Sequence, residues 1–308
     1  MIFCIGEVLI DCFYSGEEKT CFPGGAPFNV SCNVNAIGKN SAFYGALGCD
    51  EYAKIIENYA KKEGLKAFFD KLENRDTTEA RVTLDNGERS FAFIRKNGAD
   101  FRLGLSGLKK AYGEAVKDYD GKVIAHFGSL MLSEKEGRSF FFEAVNYLKE
   151  QGAMISFDVN YREDIFDDKP ASLEIMKKAV SVADIIKFGD DELKLLSGSK
   201  DVDEGLKRIV TKDQTAVVTF GKDGSLYYHN GNSVFASAKP VKPVDTTGAG
   251  DAFYSYFLYA VDSCFDAENK DEIEKVLLRA NAYGALATLK KGALGAIPEK
   301  ETVDEFLK

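Results

Sequence analysis

Short apolar runs alternate with helical patterns along most of this chain, and no other feature constrains its fold as tightly. The runs at 3–6, 42–47, 123–127, 153–157, 185–188 and 217–220 are too short and too apolar to be half-exposed edges. Separated by helices, they read as parallel strands of an α/β sheet with helices on its faces. The clearest helical pattern covers 50–62, where Tyr52, Ile55, Ile56, Tyr59 and Ala60 recur at helical spacing, Asp50 can cap the start and Gly64 the end. A second helix is expected from Ser133, with Glu136 completing a capping box, to Gly152.

One region breaks the alternation. Residues 81–95 read as two strands joined through Asn86-Gly87, a favoured tight-hairpin dipeptide, with Phe91, Phe93 and Arg95 projecting to one face. A short hairpin is unstable alone and must pack on something. The extended stretch 11–22 can pair with it, giving a small β lid built from about 11–22 and 79–98 and inserted into the first third of one unit spanning 1–308. No linker, repeat or low-complexity tract interrupts the rest.

Charge narrows the partners. With 40 Lys+Arg against 49 Asp+Glu the formal charge is −9, and the basic residues are scattered, so no nucleic-acid footprint is present. No stretch has the apolar length of a membrane helix, and the first residues reach the charged Glu7 too soon for a signal peptide. Six cysteines without a C-x-x-C pair or a suitably spaced His argue against a disulfide framework and a zinc site. They are expected to be buried thiols in a reducing compartment, in a soluble cytoplasmic protein.

The chemistry concentrates at two glycine turns. In VDTTGAGDAFYSYFLYA, 244–260, Gly248, Ala249 and Gly250 can turn their N–H groups toward a ligand, and the helix that follows adds partial positive charge, so the place suits an anion. Asp251 in the first helical turn would repel that anion, which makes sense for a base taking a proton from a nucleophile. An isolated Gly-x-Gly-Asp is more often only a capped helix. At the other turn, in FPGGAPFNVSCNVNAIG, 22–38, Pro23, Gly24, Gly25 and Pro27 lead into a helix that carries Asn29 and Asn33 on one face, where amides can meet sugar hydroxyls. Two such turns at strand ends fit one cleft for two ligands. There is no G-x-x-x-x-G-K-[ST] loop and no third glycine of a dinucleotide fingerprint, which speaks against a nicotinamide dehydrogenase.

Taken together, VDTTGAGDAF, GGAPFNV, the Asn-Gly hairpin and VVTFGKDGSLYY resemble the ribokinase-like, or PfkB, family of sugar kinases, from GEVLID at 6–11 to ANAYGALATLKKGALGAIP at 280–298. Within it, 75–103 and DVNYRE at 158–163 resemble the fructokinases most. The resemblance implies a three-layer α/β/α, doubly wound, mostly parallel sheet and ATP-dependent phosphorylation of a sugar hydroxyl. Asp251 would be the base, with Gly248, Ala249 and Gly250 as the anion hole. Asp11, Gly25 and Asn29 would bind the sugar, with Phe93, Arg95, Asn160 and Arg162 as further candidates. Thr219, Gly221, Gly224 and Asn281 match the ATP site, and Glu192 matches an acid that organises hydrated Mg²⁺. Gly189 stands where many relatives carry Asn or Ser, and the helix after Asp251 lacks a common glycine. K⁺ is a candidate ligand of carbonyls near Asp245, Thr247 and Gly292.

The resemblance leaves rivals: a 2-keto-3-deoxygluconate kinase, which would want a cation such as Arg95 or Arg162 for the substrate carboxylate; another sugar or nucleoside kinase of the family; or a catalytically silent sugar- or nucleotide-binding protein. Neither His126, ending an apolar strand, nor His229, in a polar turn, is given a catalytic part. The exposed strands of the lid invite pairing with a second copy, so a homodimer is expected.

Overall fold

The computed structural model describes residues 1–15, 18–85 and 88–308, with side chains throughout that range except at 15 and 82–91. The expected Asn86-Gly87 turn and the Phe91 side chain lie outside the described residues. The chain begins with β1 (Ile2–Ile5), β2 (Leu9–Ser15), β3 (Glu18–Gly24), α1 (Ala26–Ala36), β4 (Ser41–Leu47), α2 (Glu51–Lys62) and β5 (Lys66–Lys71). It continues through β6 (Glu79–Asp85), β7 (Glu88–Ile94), α3 (Leu105–Val116), β8 (Ile124–Phe127), α4 (Lys135–Glu150), β9 (Met154–Asp158), α5 (Lys169–Val182), β10 (Ile185–Gly189) and α6 (Asp190–Ser197). It ends with α7 (Val202–Ile209), β11 (Thr215–Thr219), β12 (Gly224–His229), β13 (Asn232–Ser237), α8 (Ala249–Asp262), α9 (Lys270–Ala287) and α10 (Lys300–Leu307).

Among the described residues nine strands form one sheet in the order β13-β12-β11-β10-β9-β8-β1-β4-β5, parallel from β5 to β11 and antiparallel at β12 and β13. Each of the six apolar runs becomes a strand of its parallel part, within two residues of the expected limits. The edge strands β5 and β13 escaped that reading because their outer positions are polar or half-exposed, so they lack the continuous apolar run of a strand covered on both faces. Apolar clusters lie on both faces, one around Phe127, Phe141 and Phe157, the other around Phe28, Phe43 and Phe257. This is the three-layer, doubly wound arrangement that the resemblance implies.

A second, four-stranded sheet runs β3-β2-β6-β7, and 11–22 pairs with the hairpin region as expected, β2 lying parallel to β6. Two expectations need correction. Cys12 and Cys21 sit in register on β2 and β3 and form a disulfide, while Cys49 and Cys264 are exposed, so only Cys4 and Cys32 are buried free thiols. Strand register, which C-x-x-C spacing does not report, brings the pair together. At α4 no capping box forms: the cap is Glu134 without a side-chain bond, because Ser133 closes a preceding 3₁₀ turn and its hydroxyl bonds to Leu130 O. The helix at 50–62 is capped as expected, Asp50 accepting from Ala53 N.

Candidate active site

A cavity of about 610 Å³ opens where the carboxyl ends of the central strands meet the small sheet. Gly25 starts α1 there with φ +106°, and a Cβ on it would lie 2.5 Å from Glu7 O, so only glycine lets the chain pass this close. Gly248 does the same at the head of α8, with φ +80° and the Ala293 Cα 2.7 Å from where a Cβ would be. These two turns bring Asn29 and Asp251, 222 residues apart, into a buried hydrogen bond: Asn29 Nδ2 donates to Asp251 Oδ2 at 2.8 Å. Asp11, Phe93, Asn160 and Arg162 line the same cavity with Thr246, Thr247, Gly248 and Gly250. Asn160 holds φ +29°, uncommon for a non-glycine residue and a form of backbone strain that collects at functional sites.

Desolvation governs the electrostatics. Burial pushes the Asp251 carboxyl up to about 6, with the Asn29 bond opposing and the Asp158 charge adding to the rise. Asp11 is raised to about 7 by burial and by the charges of Asp251 and Asp245. The 248–250 turn lies at the positive end of α8, although the Ala249 N–H is engaged in a long bond to Thr246 O at 3.3 Å. Asp245 ties this turn to the one at 292: its Oδ1 accepts from Thr247 N and Oγ1, and its Oδ2 from Gly292 N. The three positions expected around a monovalent cation are therefore gathered in one place.

Three charged residues that line the cavity, Lys187, Glu7 and Asp164, escaped the sequence reading. Lys187, inside a strand read as apolar, pairs with the fully buried Asp158 at 2.8 Å, and its ammonium lies 3.4 Å from where a Cβ on Gly250 would be. Burial works against its charge, but Asp158 and Glu192 outweigh it and the pKa is raised. The signal available was a lysine within an apolar run, since such a residue is almost never fully buried unless paired. The second is Glu7, on the link between β1 and β2.

Several expected residues stand elsewhere. Arg95 does not line the cavity: it is buried, bonded to Asp100 by Nε (2.8 Å), to Ser133 Oγ by Nη1 and to Leu130 O by Nη2. Thr219, Gly221, Gly224 and Asn281 gather beyond β10 rather than in this cavity. Thr219 Oγ1 donates to Phe188 O, and Asn281 Nδ2 to Ala236 O beside Gly224. Glu192 lies between the two groups, its oxygens accepting from Tyr161 N (2.8 Å) and Gly189 N (2.6 Å). Among the described residues no cluster of three or more His, Cys, Asp or Glu could hold a metal by itself, so a divalent ion would depend on a ligand's own oxygens and water. A groove of about 710 Å³ between α2 and the small sheet, lined by Asp50, Tyr52, Thr77 and Glu79, has no comparable base and glycine turn.

The chain matches the pfkB family carbohydrate kinase profile over residues 1–300. It is 32% identical to a fructokinase of Vibrio alginolyticus over 310 aligned residues, covering 99% of this chain and 98% of that one. It is 35% identical to the probable fructokinase-5 of Arabidopsis thaliana, covering 100% and 97%. The crystal structure of fructokinase from Vibrio cholerae O395 with bound fructose, ADP and calcium superposes with a TM-score of 0.86 at 32% identity, covering 100% of this chain and 98% of that one.

Proposed function

This chain belongs to the pfkB family of carbohydrate kinases, and we propose that it is a fructokinase, EC 2.7.1.4, moving the γ-phosphoryl of MgATP to the 6-hydroxyl of D-fructose. The observation that carries this reading is the Asn29–Asp251 hydrogen bond, which fixes the acid of one glycine turn inside the cavity formed with the other. Asp251 takes the proton of the attacking hydroxyl, whose oxygen bonds to the γ-phosphorus. The bond from that phosphorus to the β-phosphate oxygen breaks, and its electron pair leaves with ADP. A carboxyl near 6 is mostly ionised at neutral pH yet more basic than an exposed one, which suits this task.

Charge on the transferring group meets the Gly248 and Gly250 end of α8 and the Lys187 ammonium, dipoles and a cation already in position before reaction. Asp11, Gly25 and the free Oδ1 of Asn29 face the sugar, Asn160 and Arg162 border it, and Phe93 with the rest of the small sheet acts as a lid that keeps water out. The nucleotide extends past Glu192 toward Thr219, Gly221, Gly224 and Asn281. Magnesium, carried on the phosphates with Glu192 near its water shell, would neutralise their charge. Potassium would sit by Asp245 and Thr247. We read 1–308 as one kinase unit, cytoplasmic because ATP is its co-substrate, and dimeric through the lid. No helix among the described residues is long and apolar enough to cross a membrane.

Arg95 bears on the choice of sugar. Its guanidinium is spent on Asp100, Ser133 and Leu130, so among the described residues lining the cavity a 2-keto-3-deoxygluconate carboxylate would find Arg162 as the one arginine, beside a Lys187 already paired with Asp158. ADP release measured with fructose, 2-keto-3-deoxygluconate, ribose and aminoimidazole riboside tests this, and turnover of another sugar with none of fructose would defeat it. Asp251→Asn should cut kcat by roughly 10² to 10⁴ while sugar binding, followed by calorimetry, persists. Unchanged turnover would remove the mechanism.

A further inference from the structure

Glu7 is a buried acid with one carboxyl oxygen that the fold leaves unsatisfied. It is 3% exposed, lines the cavity, and its Oε2 has no hydrogen-bond partner among the described residues. The packing is built around it: a Cβ on Gly128, just past β8, would lie 2.8 Å from Oε1 and 2.9 Å from Oε2. The neighbouring donors are engaged elsewhere, Arg95 on Asp100, Lys187 on Asp158 and Asn29 Nδ2 on Asp251. Buried polar atoms are nearly always partnered, and an orphan on a residue that lines a cavity is open to a hydrogen bond from a ligand.

We propose that Glu7 contacts a hydroxyl of the bound sugar through this carboxyl and helps decide which neutral polyols the enzyme accepts. The inference rests on the reading of the cavity as the sugar site. At neutral pH the group acts as a carboxylic acid, with one donor and one free acceptor to offer a hydroxyl. Burial pushes its pKa to about 8, a hydrogen bond from its own backbone N–H and the Arg95 charge oppose the rise, and the charges of Asp100 and Asp251 add to it. Its other close neighbours, Pro27 on α1 and Gly128 after β8, carry no charge. Neutrality also suits a cavity that already holds Asp251, Asp11 and Asp164 beside the cations Arg162 and Lys187 and must admit an anionic phosphoryl group. As pH rises through about 8 the O–H donor is lost and a further negative charge appears.

The test is steady-state ADP release by the full chain as wild type, Glu7→Ala and Glu7→Gln, varying fructose at saturating MgATP and then the reverse. Glu7→Ala should raise KM for fructose about tenfold or more while KM for MgATP stays within about twofold. Glu7→Gln keeps one donor and one acceptor and should recover most of that loss. Wild-type kcat/KM for fructose should fall above pH about 8, and this limb should be absent from Glu7→Gln. Three results would overturn the inference: an unmoved fructose KM in a folded Glu7→Ala, equal changes in both KM values, or an alkaline limb that survives in Glu7→Gln. The pH profile of Glu7→Gln decides the matter if Glu7→Ala fails to fold. Wild type that turns over no sugar removes the kinase reading and this inference together, whereas active wild type with an indifferent Glu7→Ala removes this inference alone.

Discussion

Replacing Asn29 with Ala should change the pH at which the enzyme works. Asp251 is raised to about 6 by burial, and the Asn29 Nδ2 bond at 2.8 Å is the leading influence holding it down. A hydrogen bond to a charged group contributes about 1.5–3 kcal/mol, and 1.36 kcal/mol corresponds to one pH unit, so its loss should move the carboxyl up by about one to two units. The sign follows from the bond's preference for the ionised acid: without it, protonated Asp251 persists to higher pH. From half-ionised at pH 6 the base would fall to about one-tenth to one-hundredth ionised, a loss of roughly 5- to 50-fold. By pH 9 this part of the defect should have nearly closed. The assay is kcat/KM for fructose between pH 5 and 9.5 at constant ionic strength, since that ratio reports ionisation in the free enzyme. An acid limb that stays in place while activity drops equally at every pH would refute the reasoning, leaving Asn29 a sugar contact and nothing more.

Lys187→Met strands the fully buried Asp158 and should cost about 3–5 kcal/mol of stability in urea unfolding. Adding Asp158→Asn should restore much of that stability but not turnover, whereas full recovery of ADP release would take Lys187 out of the chemistry. Glu7, raised to about 8 in the folded chain against an unfolded value near 4.5, makes the fold lose stability as pH rises between those values. Glu7→Gln should therefore melt at least about 2 °C above wild type at pH 9 and gain nothing at pH 4, as read by scanning calorimetry. Alkylation of denatured, unreduced protein should label four thiols by intact mass, since Cys12 and Cys21 are joined. Six labels would show that disulfide to be absent.

What neighbouring residues settle could be read directly from the sequence. The apolar runs became the parallel strands, Asp50 capped α2, and the glycine turns entered α1 and α8, because periodicity and backbone freedom act over a few residues. The same locality misled at Ser133, whose hydroxyl was taken by the turn before it, and at Cys12 and Cys21, whose meeting depends on strand register. Motif resemblance pointed to Asp251 and Asn29 separately, but packing α1 against α8 joined them. It also withdrew Arg95 into a network with Asp100 and added Glu7 and Lys187 to the cavity. Burial is a property of the assembled layers, and it decides which acids stay protonated, which cation remains charged and which polar atom is left for a ligand. Sequence determined the elements and the chemical types available. Tertiary structure decided their solvation, because that depends on residues far apart along the chain.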